Sequence, residues 1–256
     1  MILMLLCSLA PVILLLSYVI YRDRNNAEPK RRVALGLVYG ALSVIVTLLI
    51  HAFWSPLPEV LGFSWVKTVP MLRGVFTAFF EAAIPEETAK LLMLWLLLRR
   101  SQDFNENMDG IVYAVCVGLG FAGVENILYV FESESWQATA VVRFFYAVPG
   151  HYIDAVLMGF FYSFVHFQPK RYGKYRPLIW IAPVLAHGTY DAICMVADDN
   201  MTLMALSFIP LTWFCVRMHK FCFKRLDHID RLDADKEDLA LFTEAMRNEE
   251  KTNGNV

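Results

Sequence analysis

The 256-residue sequence lacks several short motifs that mark soluble enzymes, because it contains no HExxH, no GxSxG and no P-loop. Its five cysteines include no CxxC pair, so the sequence indicates neither a disulfide framework nor a thiolate metal site. Charged residues make up only 19% of the chain and the formal net charge is −2, which does not favour nucleic-acid binding. Any chemistry must come from side chains that separate segments bring together.

The sequence contains more apolar residues, in longer stretches, than a soluble protein needs. Hydrophobic residues make up 57% of the chain and the mean hydropathy is +0.44, more than a soluble core of this size needs. We predict an all-α, polytopic membrane bundle with seven spans, each long enough to cross a hydrocarbon layer of about 30 Å. The predicted spans are residues 2–20, 33–53, 69–98, 111–131, 141–165, 178–196 and 201–221. The third is too long for a straight crossing, so it must tilt, begin at the interface or bend at Pro85.

Positive charge marks one side of the predicted bundle. Lys and Arg cluster in residues 22–32, 99–100, 170–176 and 217–225, whereas the intervening loops carry little positive charge. Basic loops stay in the cytoplasm, so we expect the N-terminus outside and the C-terminus in the cytoplasm. No linker or repeat interrupts residues 1–225, which we expect to form one membrane-embedded domain.

Residues 226–256 are predicted to form a cytoplasmic tail. Its apolar residues recur at helical spacing among charged ones, which is typical of an amphipathic helix. These apolar residues are Leu226, Ile229, Leu232, Leu239 and Phe242. The polar stretch from Asn248 to Val256 is expected to be disordered.

Five ionisable side chains lie inside predicted spans at similar depths. At about 1.5 Å per residue, Glu86 and Glu87 lie about 18 Å from the basic end of their span. On the same scale Glu125 and His151 lie about 22 Å in, and His187 lies about 15 Å in. Ionisable groups at bilayer depth are costly, so a layer shared by four helices favours a functional centre over unrelated packing roles.

Helical spacing places a cation beside the glutamate pair. Lys90 follows Glu86 by four residues and Glu87 by three, so its ammonium can neutralise or orient either carboxylate. The alternative is that a glutamate and the lysine form an ion pair that only stabilises the fold.

Two further residues are expected to support the centre. Asp191 follows His187 by four residues and can fix the tautomer of its ring, while Asn126 lies next to Glu125. Arg143, near the outer end of its span, is interpreted as a snorkelling anchor.

Four segments in order resemble the PrsW family of intramembrane proteases. They are Pro-Glu-Glu-Thr-Ala-Lys at 85–90, the glycine-rich string 118–126, the span that contains His151, and His-Gly-Thr-Tyr-Asp at 187–191. The resemblance extends to the CAAX prenyl endopeptidases, although Glu125 stands where those enzymes have a histidine. It implies cleavage of a membrane-tethered protein in the bacterial inner membrane. The substrate it implies is a single-pass protein such as an anti-sigma factor, processed during envelope stress.

Two mechanisms suit these residues. In the first, Glu125, His151 and His187 bind zinc as a His₂Glu set, and Glu86 or Glu87 is the general base. In the second, the same base works without metal and the histidines stabilise the oxyanion. The sequence does not distinguish them, because His and Glu serve both.

Other classes of protein also place ionisable groups at mid-membrane. An ion or proton transporter is the main alternative, but the seven spans show no evident twofold repeat. A non-catalytic scaffold would leave the glutamate pair unexplained. The sequence therefore favours a protease that interacts with lipid and a membrane-protein substrate and not with nucleic acid.

Overall fold

A computed structural model describes residues 1–196 and 201–253, and these residues form helices without any strand. The α-helices are, in chain order, α1 (Ile2–Arg22), α2 (Lys30–Trp54), α3 (Leu57–Val60), α4 (Pro70–Phe76), α5 (Ile84–Leu98), α6 (Asn107–Glu132), α7 (Trp136–Val142), α8 (Val148–Phe167), α9 (Pro169–Tyr172), α10 (Leu178–Met195) and α11 (Met201–Asn253). Two π-helical turns, Thr77–Ala83 and Arg143–Ala147, connect α4 to α5 and α7 to α8. Residues 197–200, between the sixth and seventh predicted spans, lie outside the described residues.

The prediction of an all-α polytopic membrane protein is confirmed. Five helical stretches among the described residues are long and apolar enough to cross a membrane. They are Ile2–Arg22, Lys30–Val60, Asn107–Glu132, Trp136–Phe167 and Pro169–Met195. The other two predicted spans correspond to the continuous helix from α4 through α5, which carries the glutamate pair, and to the first part of α11.

Helix α6 lies at the centre of the bundle and buries most of its side chains against α2 on one side and α8 on the other. Glycines allow this close packing: a Cβ on Gly120 would lie 2.3 Å from the carbonyl oxygen of Leu37, and one on Gly118 would lie 2.7 Å from Cβ of Ala155. Residues 118–123 have the GxGxxG spacing of a dinucleotide-binding loop, but they lie inside a continuous helix. Their glycines therefore serve helix packing, as their small size predicts.

Each π-helical turn lies directly ahead of a proline. The N–H of Ile84 donates to the carbonyl of Phe79, and the N–H of Val148 donates to that of Arg143, both across five residues. Pro85 and Pro149 then follow, and neither has an N–H with which to continue the α-helical ladder. The wider turns keep both helices continuous through their prolines, which explains how the long third span passes Pro85. Such turns often occur at functional sites.

The segments predicted to be cytoplasmic meet at one end of the bundle. Arg32 at the start of α2 forms an ion pair with Asp103 before α6, with 2.7 Å between nitrogen and oxygen. Asp233 of α11 accepts hydrogen bonds from the side chain of Asn107 at 2.6 Å and the backbone N–H of Met108 at 3.0 Å. The first two basic loops and the helix that follows the last span thus share one side, while the assignment of that side to the cytoplasm remains a prediction.

The predicted tail continues the last span as a single helix. Leu226 and Ile229 are fully buried, as the apolar pattern predicts, and Asp227 forms an ion pair with Arg22 of α1. The helix extends to Asn253, so residues 248–253 are helical where disorder was expected, and residues 254–256 lie outside the described part. The side chains of Leu239 and Phe242 also lie outside it. The division of the chain at residue 225 remains a prediction.

Candidate active site

The bundle brings the predicted layer of ionisable residues together. Glu86, Glu87 and Lys90 lie on α5, His151 lies on α8 and His187 on α10, and all five side chains are buried. Glu86, Glu87, His151 and His187 each offer one ligand atom, and the four atoms lie within 4.8 Å of one another. Residues from three separate helices therefore form one polar cluster inside an apolar bundle.

Lys90 connects the members of this cluster. Its Nζ donates to Oε1 of Glu87 at 2.7 Å and to Nδ1 of His151 at 3.1 Å, and it lies 3.5 Å from Oε2 of Glu86. The ammonium also lies 4.1 Å from the centre of the Phe121 ring, which adds a cation–π contact. Both contacts that the spacing of Lys90 predicted are present, the contact with His151 reaches a second helix, and the role of Lys90 in catalysis remains a prediction.

His187 is held between carboxylates on both sides of its ring. Its Nδ1 lies 2.8 Å from Oε1 of Glu87, and its Nε2 lies 3.2 Å from Oδ2 of Asp191 and 3.7 Å from Oε2 of Glu86. The predicted contact with Asp191 four residues later is present. Carboxylates next to both ring nitrogens fix the orientation of the ring and keep it close to Glu86.

His151 is held by groups of opposite charge. An ammonium has no acceptor, so Nδ1 of His151 accepts the hydrogen bond from Lys90. Nε2 therefore carries the proton and donates to Oε2 of Glu125 at 2.9 Å. A histidine that donates one N–H to a carboxylate presents its other nitrogen in a fixed direction.

Glu125 does not belong to the four-residue group. It contacts His151 from the side away from Lys90 and pairs with Arg143. In this arrangement it is a partner of one histidine, and the compact group contains Glu86 and Glu87 in its place. The role of Glu125 as a ligand in a His₂Glu set remains a prediction.

Arg143 turns inward, and the interpretation as a snorkelling anchor is wrong. Its Nη2 donates to Oε2 of Glu125, its Nε donates to Oδ1 of Asn126 at 2.7 Å, and its guanidinium stacks 4.1 Å from the centre of the Tyr129 ring. Regular helical spacing puts Arg143 and His151 about 80° apart on α7–α8. The π turn absorbs one residue between them and brings them to the same face. The one signal in the sequence was an arginine inside a predicted span, in the span that follows Glu125.

A cavity of about 260 Å³ opens onto the cluster. Its polar wall includes Glu86, Glu125, Arg143, His151, His187 and Asp191. Glu87 does not line it, since its side chain is fully buried behind Glu86. The two adjacent glutamates therefore differ, and only the first can reach a molecule in the cavity.

Asp154 also lines this cavity, one helical turn after His151. Its Oδ2 lies 4.0 Å from Nδ1 of His187, and its side chain is buried. Asp154 was not among the candidates predicted from the sequence, although its spacing of three residues from His151 was a usable signal.

The four-residue group fits a metal ion by its chemistry. Two carboxylates and two imidazoles are ligands that zinc accepts, and Oε2 of Glu87 is a buried acceptor without a hydrogen-bond partner. Lys90 already places a positive charge among the same atoms. An ion in the group would share the carboxylates with this ammonium and would take the proton's place on a ring nitrogen of His187.

Most of the chain is similar to a known family of membrane proteases. The PrsW family of intramembrane metalloproteases matches residues 28–216, a range that contains every residue of the cluster. No solved structure matches the chain.

Curated relatives carry the same family name. Protease PrsW of Bacillus subtilis is 31% identical over 214 residues, covering 83% of this chain and 92% of that protein. Protease PrsW of Geobacillus kaustophilus is 30% identical over 213 residues, covering 83% of this chain and 89% of that protein. The chain belongs to the PrsW family of intramembrane metalloproteases.

Proposed function

We propose that this intramembrane protease cleaves a single-pass membrane protein, with Glu86 as the general base. The observation that carries the proposal is the difference between the adjacent glutamates. Glu86 lines the cavity, whereas Glu87 is fully buried and does not line it. A general base must come within hydrogen-bond reach of the water that it deprotonates. Glu86 meets this condition and Glu87 does not.

The surrounding residues supply the rest of peptide hydrolysis. Glu86 takes a proton from a water in the cavity while the water oxygen attacks the scissile carbonyl carbon. His187, held by Glu87 and Asp191, lies where an N–H can donate to the developing oxyanion. The proton on Glu86 then passes to the leaving amine as the C–N bond breaks, which regenerates the carboxylate.

We infer zinc as the metal of this centre. Glu87, His151 and His187 would hold it, which leaves Glu86 free to act as the base, and Glu125 would either complete the set or orient His151. When bound, zinc would act as a Lewis acid that polarises the scissile carbonyl. The protein residues retain the work of binding, orienting and moving the proton.

The location of the cavity supports a membrane-embedded substrate. The cavity is lined by side chains from α5, α6, α8 and α10, and α6, α8 and α10 belong to stretches long and apolar enough to span a membrane, which suits a substrate that is itself held in the membrane. We propose an anti-sigma factor with one transmembrane helix as the substrate, cleaved in the bacterial inner membrane during an envelope-stress response. The resemblance to the PrsW family supports this substrate class.

Co-expression with tagged, single-pass anti-sigma factors from the source organism tests the proposal. We expect a shorter product with the wild type and at least a ~10²-fold loss with Glu86→Gln. Glu59→Gln, an exposed position on α3, is the matched control and should cleave normally. Normal cleavage by Glu86→Gln would contradict the assignment of the base. Glutamate-dependent ion flux in proteoliposomes without any cleavage would favour the transporter alternative.

A further inference from the structure

Arg143 joins three helices at the edge of the active site. It reaches Glu125 and Asn126 on α6 with two separate nitrogens. Asn126 in turn donates from Nδ2 to the backbone carbonyl of Ser8 on α1 at 2.7 Å. Hydrogen bonds therefore link the π turn that contains Arg143 to α6, and link α6 to α1.

We propose that Arg143 is a positioning residue that orients His151 by holding Glu125. The chain of contacts runs from Nη2 of Arg143 to Oε2 of Glu125 and from that same oxygen to Nε2 of His151. Because one carboxylate oxygen receives both donors, the place of the guanidinium decides where that oxygen lies. Arg143 therefore acts on the centre without being one of its candidate ligands.

The orientation of His151 depends on this carboxylate. With Nε2–H donating to Glu125, the lone pair of Nδ1 points at Lys90 and the glutamate pair. Lys90 favours the same tautomer from the other side of the ring, but without a fixed acceptor at Nε2 the ring can rotate away from the ammonium, and the preference for one tautomer then weakens. The Nδ1 lone pair would then be lost to the cluster for part of the time.

The chemistry of arginine suits this role better than that of lysine. The guanidinium is planar, offers donors in fixed directions and stacks on aromatic rings. Arg143 uses all three properties, since it bonds two acceptors and stacks on Tyr129. A lysine at this position would retain the charge and at most one of the two directed hydrogen bonds.

Nitrogen NMR of the histidine rings tests the proposal without any substrate. Full-length protein is labelled with ¹⁵N-histidine and reconstituted in nanodiscs, and the signals of His151 are identified by their loss in His151→Asn. We expect the wild type to hold one neutral tautomer with the proton on Nε2. Arg143→Gln should give a mixture of tautomers or exchange broadening, and Arg143→Lys should restore part of the wild-type signal.

Combined variants test whether Arg143 acts on His151 through Glu125. Glu125→Gln should change the His151 signals, and Arg143→Gln in that background should add no further change. A His151 signal that stays at its wild-type position in Arg143→Gln, or a wild-type ring protonated on Nδ1, would overturn the proposal. Unchanged His187 signals report that the bundle is folded, and if Arg143→Gln does not fold, Arg143→Lys carries the same comparison.

Activity gives a second measurement, which rests on the proposed function. With an anti-sigma factor that the wild type cleaves, Arg143→Gln should lower kcat about 10–100-fold, the range typical of residues that orient ligands, and leave KM unchanged. Arg100→Gln, an exposed position after α5, is the control and should keep wild-type kinetics. A change in KM alone would mean that Arg143 contacts the substrate and would overturn the positioning role. If the wild type cleaves none of the substrates, the proposed function fails while the NMR result stands.

Discussion

Lys90 and Glu87 form an ion pair that is closed to the cavity, with 2.7 Å between Nζ and Oε1 and side chains that are 3% and 0% exposed. A charge pair taken out of water must recover its hydration free energy from its own contacts. Here the ammonium also bonds His151, and the carboxylate also bonds His187. The pair therefore organises both histidines as well as neutralising itself.

This pair predicts different consequences for the two adjacent glutamates. Glu87→Gln leaves the buried ammonium without its closest counter-charge, and breaking a buried pair in this way costs about 3–5 kcal/mol. Glu86→Gln removes a more distant carboxylate, 3.5 Å from Nζ, and should unfold close to the wild-type temperature. Thermal unfolding in detergent measures the difference, and both variants should lack protease activity. Equal unfolding temperatures would contradict the separation of roles.

Removing both charges of the pair should restore much of the lost stability. In Glu87→Gln combined with Lys90→Met neither charge of this closest pair is left without its partner, so the double variant should unfold above either single variant. Activity should not return, because His151 and His187 each lose a partner. Additive losses in the double variant would mean that the two side chains do not depend on each other.

Local helical spacing made part of this site predictable. Lys90 lies within one turn of both glutamates and Asp191 lies one turn from His187, and both contacts follow from 3.6 residues per turn. The inward turn of Arg143 was not predictable, because the π turn that changes its register forms through backbone contacts ahead of Pro149. The partner of His151 depends on the rotation of one ring, and the sequence contains no such information.

The architecture was predictable to a similar extent. Long apolar stretches indicated the membrane spans, and the small residues of α6 indicated its close packing against neighbouring helices. The length of α11 was underestimated, because a polar sequence such as 248–253 has weak apolar periodicity and its helix extends a preceding one.

The contact between α2 and α6 should not tolerate side chains. Gly120→Leu would force atoms into the carbonyl of Leu37, since even a Cβ would lie 2.3 Å from that oxygen. We expect a loss of at least about 1–3 kcal/mol and poor accumulation in the membrane. Gly123→Ala on the same helix is the control, because its Cβ would lie 3.7 Å or more from the nearest atoms. Equal stability of the two variants would contradict the close packing.

Reporter fusions should place the basic loops on one side of the membrane. Fusions within residues 22–32, 99–107 and 170–176 should all report the cytoplasm, because basic loops resist translocation. The contact of Arg32 with Asp103 at 2.7 Å requires at least the first two to share a side. Fusions within residues 55–68 should report the opposite side. Opposite signals from the first two loops would contradict the fold, and a uniform reversal would contradict only the orientation.

Metal analysis distinguishes the four-residue group from the predicted set that contains Glu125. We expect about one zinc per purified chain, loss of activity on chelation and recovery when zinc is returned. His151→Asn and His187→Asn should lower zinc occupancy under either arrangement, whereas Glu125→Gln is decisive. If Glu125 only orients His151, that variant should retain most of the zinc and lose affinity about 10–100-fold, as for other residues that support a ligand. If Glu125 is itself a ligand, occupancy should fall as far as in the histidine variants.

Protein that remains active with no stoichiometric metal would refute zinc and leave Glu86 as the base, with His187 stabilising the oxyanion.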